Sequence, residues 1–436
     1  MAGWCKRTSR NVIPGRGARI FASGVCLALA TVNPSPASEK AWTLDRLLEA
    51  ARRQNPDLLA ARAQLEVARG RLVRARYWNP FNPEIEGGAA ARRFEGGGSE
   101  SQAAAGLSIE LEVAGQRTLR IREAKRNFER VEAEVADVER HLVADVTRAF
   151  YRALYLGEQL RLFERIELLN RRLYQASEER FSAGEAPKLE ANLAAIRHDR
   201  AARDRLAAEA SYRNALRTLE RLSGMEPTGV LILKGSFRAE DVPLDEKELL
   251  ETALASRPDL LARKHELSRL EAETRLTRRL ILPNPRLGFE YDEEAESRGQ
   301  RDRIFGVTLR FPIPIFDAKK AELTTLSGLR LAERHNLRAV ELSIELEVRD
   351  ALETFRAARK AVRAFESGAV ERIEESLRLL ETSYKEGKIG LLELLAGQNE
   401  LVAARLAYLE ALWDYWRARA ELERAVGRRL PERRSR

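Results

Sequence analysis

The sequence predicts a mainly α-helical protein made of two tandem copies of one unit, each with a β-hairpin inserted between its helices. Three observations support this fold class: a phrase that occurs twice, proline-free stretches with apolar residues every three or four positions, and two short stretches where apolar and polar residues alternate. The first indicates a duplication, the second indicates long supercoiled helices, and the third indicates β-strands.

The duplication is visible in the phrases NPDLLAARAQLE, which begins at Asn55, and RPDLLARKHELS, which begins at Arg257. The same features follow both phrases in the same order, at offsets between 200 and 203. The matched pairs are Asn82 with Asn284, Gly106 with Gly306, Gly184 with Gly387, and Gly224 with Gly427. One unit of about two hundred residues is therefore repeated, a period far too long for a solenoid.

The repeats set the predicted domain boundaries. The segments outside and between them are a signal peptide (1–37), a linker with room for one short strand (225–243) and a basic tail (428–436). The first repeat (38–224) has an opening helix from about Thr43 to Tyr77, a hairpin at about 82–113, a long helix at 115–183 and a return helix at 188–224. The second repeat (244–427) has an opening helix from about Asp245 to Leu280, a hairpin at about 284–315, a long helix at 318–386 and a return helix at 389–426.

Apolar residues in the long helices recur at alternating steps of three and four. In the first repeat they are Ile121, Ala124, Phe128, Val131, Val135, Val138 and Leu142. In the second repeat they are Ile344, Val348, Ala351, Phe355, Ala358, Val362, Phe365 and Ala369. This 3.5-residue period indicates left-handed supercoiling against neighbouring helices. A helix of roughly 65 residues extends about 100 Å, which is too long for a compact domain.

The hairpins are predicted where the period changes to two. Alternating apolar residues are Leu107, Ile109, Leu111 and Val113 in the first repeat, and Phe305, Val307, Leu309 and Phe311 in the second. Polar loops at 94–102 and 293–302 join these strands to their partners. An alternating hairpin is commonly half-buried in a soluble sheet. A transmembrane barrel instead needs at least eight strands, so the four strands of one chain cannot close one, but three chains supplying twelve could.

The N-terminus reads as a secretory signal peptide rather than a disordered tail, because a basic region, a short apolar run from Ile20 to Ala30 and small residues follow one another. Without residues 1–37 the chain keeps 71 basic and 67 acidic residues, a net charge of +4. That balance argues against nucleic acid as a partner. Both cysteines, Cys5 and Cys26, lie in this leader, and Cys26 is a lipidation site only in a less favoured interpretation.

The residues resemble those of the TolC-like outer-membrane efflux factor family from about Trp42 to Gly427. The resemblance rests on the doubled phrases, EVAGQR at 112–117, FPIPIFDAKKAEL at 311–323, and the stretch that begins YKEGKIGLLELLAGQNE at Tyr384. It is strongest for the branch that serves heavy-metal pumps for cobalt, zinc, cadmium, copper or silver. The family implies a homotrimer with a twelve-stranded β-barrel in outer-membrane lipid and an α-helical barrel across the periplasm. It also implies a periplasmic adaptor (membrane fusion) protein and an inner-membrane pump of the resistance-nodulation-division type as partners.

The resemblance assigns candidate site residues to the helix reversals. Gly184 and Gly387 fall at the periplasmic tip where an adaptor docks. Glu393, and Glu190 as its counterpart in the first repeat, fall at the position of a periplasmic gate, where a ring of carboxylates would attract cations. The second acidic gate position is occupied by Ala396, a departure from the drug-export members. The competing interpretation is that both glutamates are ordinary solvated residues on a helix surface.

No catalytic, cofactor or metal site is predicted. The four histidines stand apart, HELSR at 265–269 lacks the second histidine of a zinc-protease helix, and no phosphate-binding loop is present. The function expected is a passive outer-membrane duct of a tripartite efflux system, with heavy-metal cations as cargo. The alternatives are a duct for drugs or organic compounds, a type I secretion channel, or a soluble periplasmic coiled-coil scaffold.

Overall fold

The computed structural model describes residues 41–240, 242–296, 301–366 and 369–430. The predicted signal peptide, Cys26 and most of the basic tail lie outside these ranges. The described residues form long helices and one four-stranded antiparallel sheet. The helices are α1 (Leu44–Gln54), α2 (Pro56–Arg76), α3 (Gln116–Ser182), α4 (Lys188–Leu222), α5 (Glu246–Ser256), α6 (Pro258–Arg279), α7 (Lys320–Glu366), α8 (Ala369–Lys385) and α9 (Leu391–Val426). The strands are β1 (Glu84–Arg93), β2 (Ser99–Glu110), β3 (Arg286–Glu296) and β4 (Arg301–Arg310).

Each opening segment forms two helices, so the prediction of one opening helix per repeat is wrong. Asn55 separates α1 from α2 with a ψ of 123°, and Arg257 separates α5 from α6 with a ψ of 125°. Both residues precede a proline, whose ring disfavours helical backbone in the residue before it but suits the first turn of a new helix. The NP and RP pairs therefore mark a break between helices.

Helix α3 runs for 67 residues without interruption, which corresponds to about 100 Å. Its predicted apolar seam is buried at Ala124, Val131 and Leu142, while Val135 and Val138 pack partly buried against the core. The seam of α7 is buried more completely, because Ile344, Val348, Phe355 and Val362 are each fully inaccessible. The two residues between α7 and α8 lie outside the described ranges. None of the helices in those ranges is both long and apolar enough to cross a bilayer.

The largest core cluster lies where α1, α3, α5, α7 and α9 meet. Tyr151 of α3 stacks on Trp416 of α9 with ring centroids 3.7 Å apart. Tyr415 is fully buried, and its hydroxyl donates a 2.7 Å hydrogen bond to the backbone carbonyl of Glu240 in the linker. The linker also contributes the isolated parallel bridge between Trp42 and Leu233. The linker thus joins Trp42, just before the first helix, to the last helix α9.

The proline break of the first repeat is also a junction with the return helix α4. The Nδ2 amide of Asn55 donates to the carbonyl of Leu222 at 2.9 Å, and its Oδ1 accepts from the N–H of Leu58 at 3.0 Å. Asn55 is only 3% exposed. One neutral side chain therefore caps α2 and satisfies the end of α4 at once.

The equivalent junction of the second repeat uses a charge. Arg257, also 3% exposed, donates to the carbonyl of Ala425 at 3.1 Å and forms ion pairs with Asp259 at 2.6 Å and Glu347 at 2.8 Å. Burial alone would raise the pKa values of both carboxyl groups. The hydrogen bonds and the positive charge of Arg257 outweigh this effect, so both pKa values lie below their ordinary values. The buried arginine and its two carboxylates thus form one unit.

A glycine with positive φ ends each return helix beside its junction. Gly224 has φ +74°, and a Cβ added there would lie 2.5 Å from the carbonyl carbon and oxygen of Gln54. Gly427 has φ +80°, but an added Cβ would first meet the Cγ of Arg257, at 3.2 Å. Only glycine fits without strain at either position, and the first is the more tightly enclosed by backbone.

The four strands form a single sheet in the order β1, β2, β3, β4, so the hairpins of the two repeats lie side by side. The central pairing joins Leu107 to Phe289 and Gly106 to Glu290. Strand β2 begins at Ser99, inside the predicted polar loop, and ends before Leu111. The loop prediction was too long because residues 99–102 are polar on both faces, which hides the alternation that identifies a strand.

Candidate functional site

The two helix reversals have the same backbone geometry. Gly184 and Gly387 have φ values of +79° and +71°. The N–H of Gly184 donates to the carbonyl of Phe181 at 3.0 Å, and the next residue donates to the carbonyl of Arg180 at 2.8 Å; the bonds after α8 match them at 3.0 and 2.8 Å. This pair of bonds closes a helix with a left-handed glycine. An added Cβ would meet no atom within 4 Å at either glycine, so both reversals are open.

The two reversals are packed against each other by a small apolar cluster separate from the main core. Leu394 of α9 is fully buried there, together with Leu173 of α3 and Ala194 of α4. Leu189 and Leu392, which hold equivalent positions in the first turns of α4 and α9, are 67% and 70% exposed. The reversals therefore form one surface with an apolar interior and two outward leucines.

The two candidate gate residues have different surroundings. Glu190 has two partners. Arg180 pairs with its carboxylate at 3.2 Å, and the hydroxyl of Tyr384 donates a hydrogen bond to the same oxygen at 3.2 Å. Glu393 is exposed, and its carboxylate accepts a 3.3 Å bond from the N–H of Gly390 at the start of α9. Thus one glutamate links the two repeats, whereas the other caps its own helix and faces solvent.

The sheet has one polar and one apolar face. Directly paired residues share a face, and the register places every even-numbered strand residue on the same side. That polar side carries more carboxylates than guanidinium groups. Its carboxylates in the described side chains are Glu84, Glu86, Glu100, Glu110, Glu290, Asp292, Glu294 and Asp302, and its arginines are Arg92, Arg286 and Arg310.

The described residues neutralise only part of this acidic charge. Arg286 pairs with Glu84 at 2.9 Å, and Arg310 pairs with Glu290 at 3.0 Å. Among the described residues, no ion pair reaches the following carboxylates of the same face: Glu86, Glu100, Asp292, Glu294 and Asp302. The polar face therefore presents a negative surface to whatever adjoins it.

The odd-numbered face is apolar along the middle of the strands and strongly exposed. Ile85 is 85%, Phe305 80%, Val307 70% and Leu309 70% accessible. Charged residues return on this face only toward the hairpin ends, where Arg301 and Arg303 lie 3.5 and 3.8 Å from Glu293. An uncovered apolar band of this kind marks contact with a membrane or with another protein. Aromatic residues cluster at the base of the hairpins, at Tyr77, Trp78, Phe81, Phe311 and Phe316, all of them exposed.

Sequence reasoning located the reversals and hairpins but missed two features of the site. The bond from Tyr384 to Glu190 joins residues 194 positions apart, and no local pattern announces it. The acidic face did leave a signal, because Glu84 and Glu86, and likewise Glu290, Asp292 and Glu294, recur at a period of two. In the part of the chain that the structure describes, no cluster of three or more potential metal ligands occurs.

A model of the family described as "Outer membrane efflux protein" matches the chain twice, over residues 47–225 and 249–428. Each match overlaps one of the two repeats. The cobalt-zinc-cadmium resistance protein CzcC of Cupriavidus metallidurans is 26% identical over 393 residues, covering 88% of this chain and 90% of that protein. The pyoverdine export outer membrane protein OpmQ of Pseudomonas putida is 27% identical over 424 residues, covering 88% and 85%.

Solved structures share the fold. The outer membrane channel CmeC of Campylobacter jejuni superposes with a TM-score of 0.69 at 16% identity, covering 88% of this chain and 85% of the other. The open state of the outer membrane channel MtrE of Neisseria gonorrhoeae gives 0.68 at 22% identity, covering 88% and 89%. At these identities the likeness concerns the arrangement of helices and strands.

Proposed function

This chain belongs to the outer membrane efflux protein family, and we propose that three copies of it close their sheets into one twelve-stranded barrel. Members are channels of tripartite efflux systems and not enzymes, and they lie in the outer membrane with a periplasmic portion. The trimer would carry cargo passively from an adaptor and an inner-membrane pump to the cell exterior. A soluble scaffold does not fit this membership.

The observation that carries the proposal is the open sheet with an apolar face. β1 and β4 are each paired on one side only, so each leaves a row of backbone donors and acceptors for another strand. Joining β4 of one copy to β1 of the next satisfies both rows and repeats around a threefold axis. It also turns the apolar band toward lipid and the acidic face toward the lumen, the order found in transmembrane barrels.

Cysteine cross-linking tests the barrel directly, because the sequence has only two natural cysteines and both precede residue 27. Ala89→Cys on β1 is combined in turn with Cys at 303, 305, 307 and 309 on the same face of β4. We expect oxidised membranes to yield a covalent trimer for the combinations whose positions face each other. Single-cysteine variants are the matched controls and should stay monomeric on gels. A full panel without covalent trimers would contradict the proposal.

We propose divalent heavy-metal cations as the cargo. The acidic face of the sheet would line the exit, where a negative lumen concentrates cations and repels anions. The similarity to a cobalt-zinc-cadmium resistance protein supports the same cargo. The absence of a three-ligand cluster in the described residues is compatible with passage, which requires weak binding.

The cargo is tested in a deletion strain complemented with wild type or with Glu86→Gln/Asp292→Asn/Glu294→Gln. We expect the wild-type chain to restore growth on zinc, cobalt or cadmium and the triple variant to restore it only partly. The matched control is Glu164→Gln/Glu179→Gln/Glu400→Gln, which removes three exposed carboxylates from helices and should restore growth fully. The similarity to a pyoverdine exporter favours organic compounds as a second candidate cargo. Restored siderophore or dye export without restored metal tolerance would select that alternative.

We propose further that the reversals at Gly184 and Gly387 are the periplasmic tip and dock the adaptor, with Glu393 lining the aperture. Its exposure and its position in the first turn of α9 support this role. Glu190 would act differently, as a contact that holds the two tips together. Reconstituted channels test the assignment: Glu393→Gln should lower the preference for cations over anions, whereas the nearby Glu386→Gln should leave it unchanged. Equal preference for cations over anions in wild type, Glu393→Gln and Glu386→Gln would refute the role of Glu393 in the gate.

A further inference from the structure

A large cavity lies between the first pair of helices, α3 and α4, and the second pair, α8 and α9. Its volume is about 1190 Å³, enough for a small organic molecule. Its walls are mainly apolar, with contributions from all four helices. The apolar side chains include Leu162, Phe163, Ile166, Leu377, Leu395 and Val402. The cavity is separate from the sheet, and it shares Leu169 and Leu395 with the small apolar cluster that packs the helix reversals together.

The rim of this cavity is strongly cationic, although residues 38–436 together carry a net charge of only +4. Six arginines line it, against the carboxylates of Asp204 and Glu381. Asp204 is already paired with Arg203 at 2.7 Å. In the described ranges, no ion pair involves Arg165, Arg172 or Arg200. Within the described residues, the rim therefore carries positive charge on these three arginines that no carboxylate neutralises.

One buried polar group in the wall also lacks a partner. Gln398 of α9 lines the cavity and is 7% exposed, and its Nε2 amide has no hydrogen bond. By contrast, the buried amide of Asn170, on the opposite wall, donates to the carbonyl of Ile166 at 2.9 Å. A buried donor without an acceptor is costly in an empty site. It indicates a group that accepts a hydrogen bond beside Gln398.

The cationic rim is not an inherited feature of the duplicated scaffold. At the offset that relates Gly184 to Gly387, Arg172 corresponds to Glu375 and Arg197 corresponds to Glu400. Five of the six arginines lie on the first helix pair, and the sixth, Arg378, lies on α8. Helix packing does not require basic residues here, because the second pair carries glutamates at the two positions equivalent to Arg172 and Arg197.

We propose that this cavity binds an amphipathic organic anion, a carboxylate or sulfonate carried on an apolar body. The apolar body would pack against the leucine and phenylalanine side chains of the walls. The anionic group would accept a hydrogen bond from the amide of Gln398 and lie within the field of the arginine rim. Because the cavity is bounded by both helix pairs, a bound anion would bridge them.

The test is calorimetric titration of 2-naphthalenesulfonate into the full-length protein in nanodiscs of zwitterionic lipid, with empty nanodiscs subtracted. We expect saturable binding with one site per chain. Arg165→Gln/Arg172→Gln/Arg200→Gln should weaken this binding roughly tenfold or more. 2-Naphthalenemethanol, which has the same ring without the charge, should bind to the wild type about as weakly as the sulfonate binds to that variant. Gln398→Glu should weaken binding in the same direction, since it replaces the donor by a carboxylate of similar size.

The control variant is Arg74→Gln/Arg221→Gln/Arg278→Gln, three exposed arginines outside the cavity, which should leave the affinity unchanged. Circular dichroism of each variant distinguishes lost binding from lost folding. No saturable binding to wild type would overturn the proposal and would fit a cavity filled by a second copy of the chain. Equal affinity of wild type and the cavity triple variant would overturn it as well.

Discussion

The junctions of the first and second repeats satisfy the same helix end by different chemistry. Asn55 does so with one neutral amide, which also caps its own helix. Arg257 occupies the same place with a buried charge and therefore depends on Asp259 and Glu347. The backbone is nearly the same at both junctions, with ψ values of 123° and 125°. Duplication thus preserved the geometry of the break and left its side chains free to diverge.

The largest expected difference between the junctions follows from removing the arginine. Arg257→Met should lower the free energy of unfolding by about 4 kcal/mol, because two partly buried carboxylates lose their common partner. Asn55→Ala should cost about 1 kcal/mol, the usual value for a lost helix cap. Guanidinium denaturation of the detergent-solubilised protein, followed by circular dichroism, measures both. Similar losses in the two variants would show that the charge is not what distinguishes the junctions.

At the glycines beside the junctions, we expect the larger loss of stability in the first repeat, whereas Asn55 and Arg257 place it in the second. Gly224→Ala should cost about 3 kcal/mol, since it combines a left-handed backbone with a clash against the rigid carbonyl of Gln54. Gly427→Ala should cost about 1 kcal/mol, because the Arg257 side chain it meets can move by a few tenths of an ångström. The same denaturation experiment compares them. A larger loss at Gly427 would place the rigid contact in the second repeat.

The junctions should also respond differently to acid. The folded-state pKa values of Asp259 and Glu347 lie below their ordinary values. Their stabilising contribution is therefore complete above the unfolded pKa values, near pH 4 to 5, and is lost as the pH falls through the lower folded values. The stability difference between wild type and Arg257→Met should thus shrink below about pH 4. The difference between wild type and Asn55→Ala should stay constant from pH 3 to 6.

The smallest expected effect concerns the two reversals. Tyr384→Phe removes the bond to Glu190 and should cost about 1 kcal/mol or less. The loss should appear as faster amide hydrogen exchange at both reversals, with the rest of the helices unchanged. Glu393→Gln keeps a group that can cap the helix, and it should leave exchange at the first reversal unaltered. Faster exchange in both variants would mean that the two reversals are coupled through something other than Tyr384.

Features with local signals could be predicted from the sequence. The glycine reversals, the alternating hairpins and the apolar seam at Ile344 and Val348 each follow from a period or from one residue type. Pro56 and Pro258, which mark the breaks between helices, stand in the two repeated phrases. The breaks were missed because the helical spacing of apolar residues continues on both sides of each proline. The start of β2 at Ser99 was hidden because both faces are polar there.

The rest of the site depends on contacts that sequence does not carry. Arg257 is a charged residue in a charge-rich chain, and its burial is decided by α7 and α9, far away in sequence. The different surroundings of Glu190 and Glu393 follow from Arg180 and Tyr384, which both contact Glu190. Such differences arise from which side chain happens to lie opposite, so two similar segments can acquire different roles.

The unpaired outer strands have a consequence for the life of a newly exported copy. If the channel assembles as proposed, each copy would cross an aqueous compartment with two unpaired strand edges and an exposed apolar band before it meets two others. Correct association would then compete with pairing to any other exposed strand, so the amount of assembled channel should fall faster than linearly when synthesis is reduced. At low synthesis rates, we expect assembly to depend on factors that cover these strands in transit.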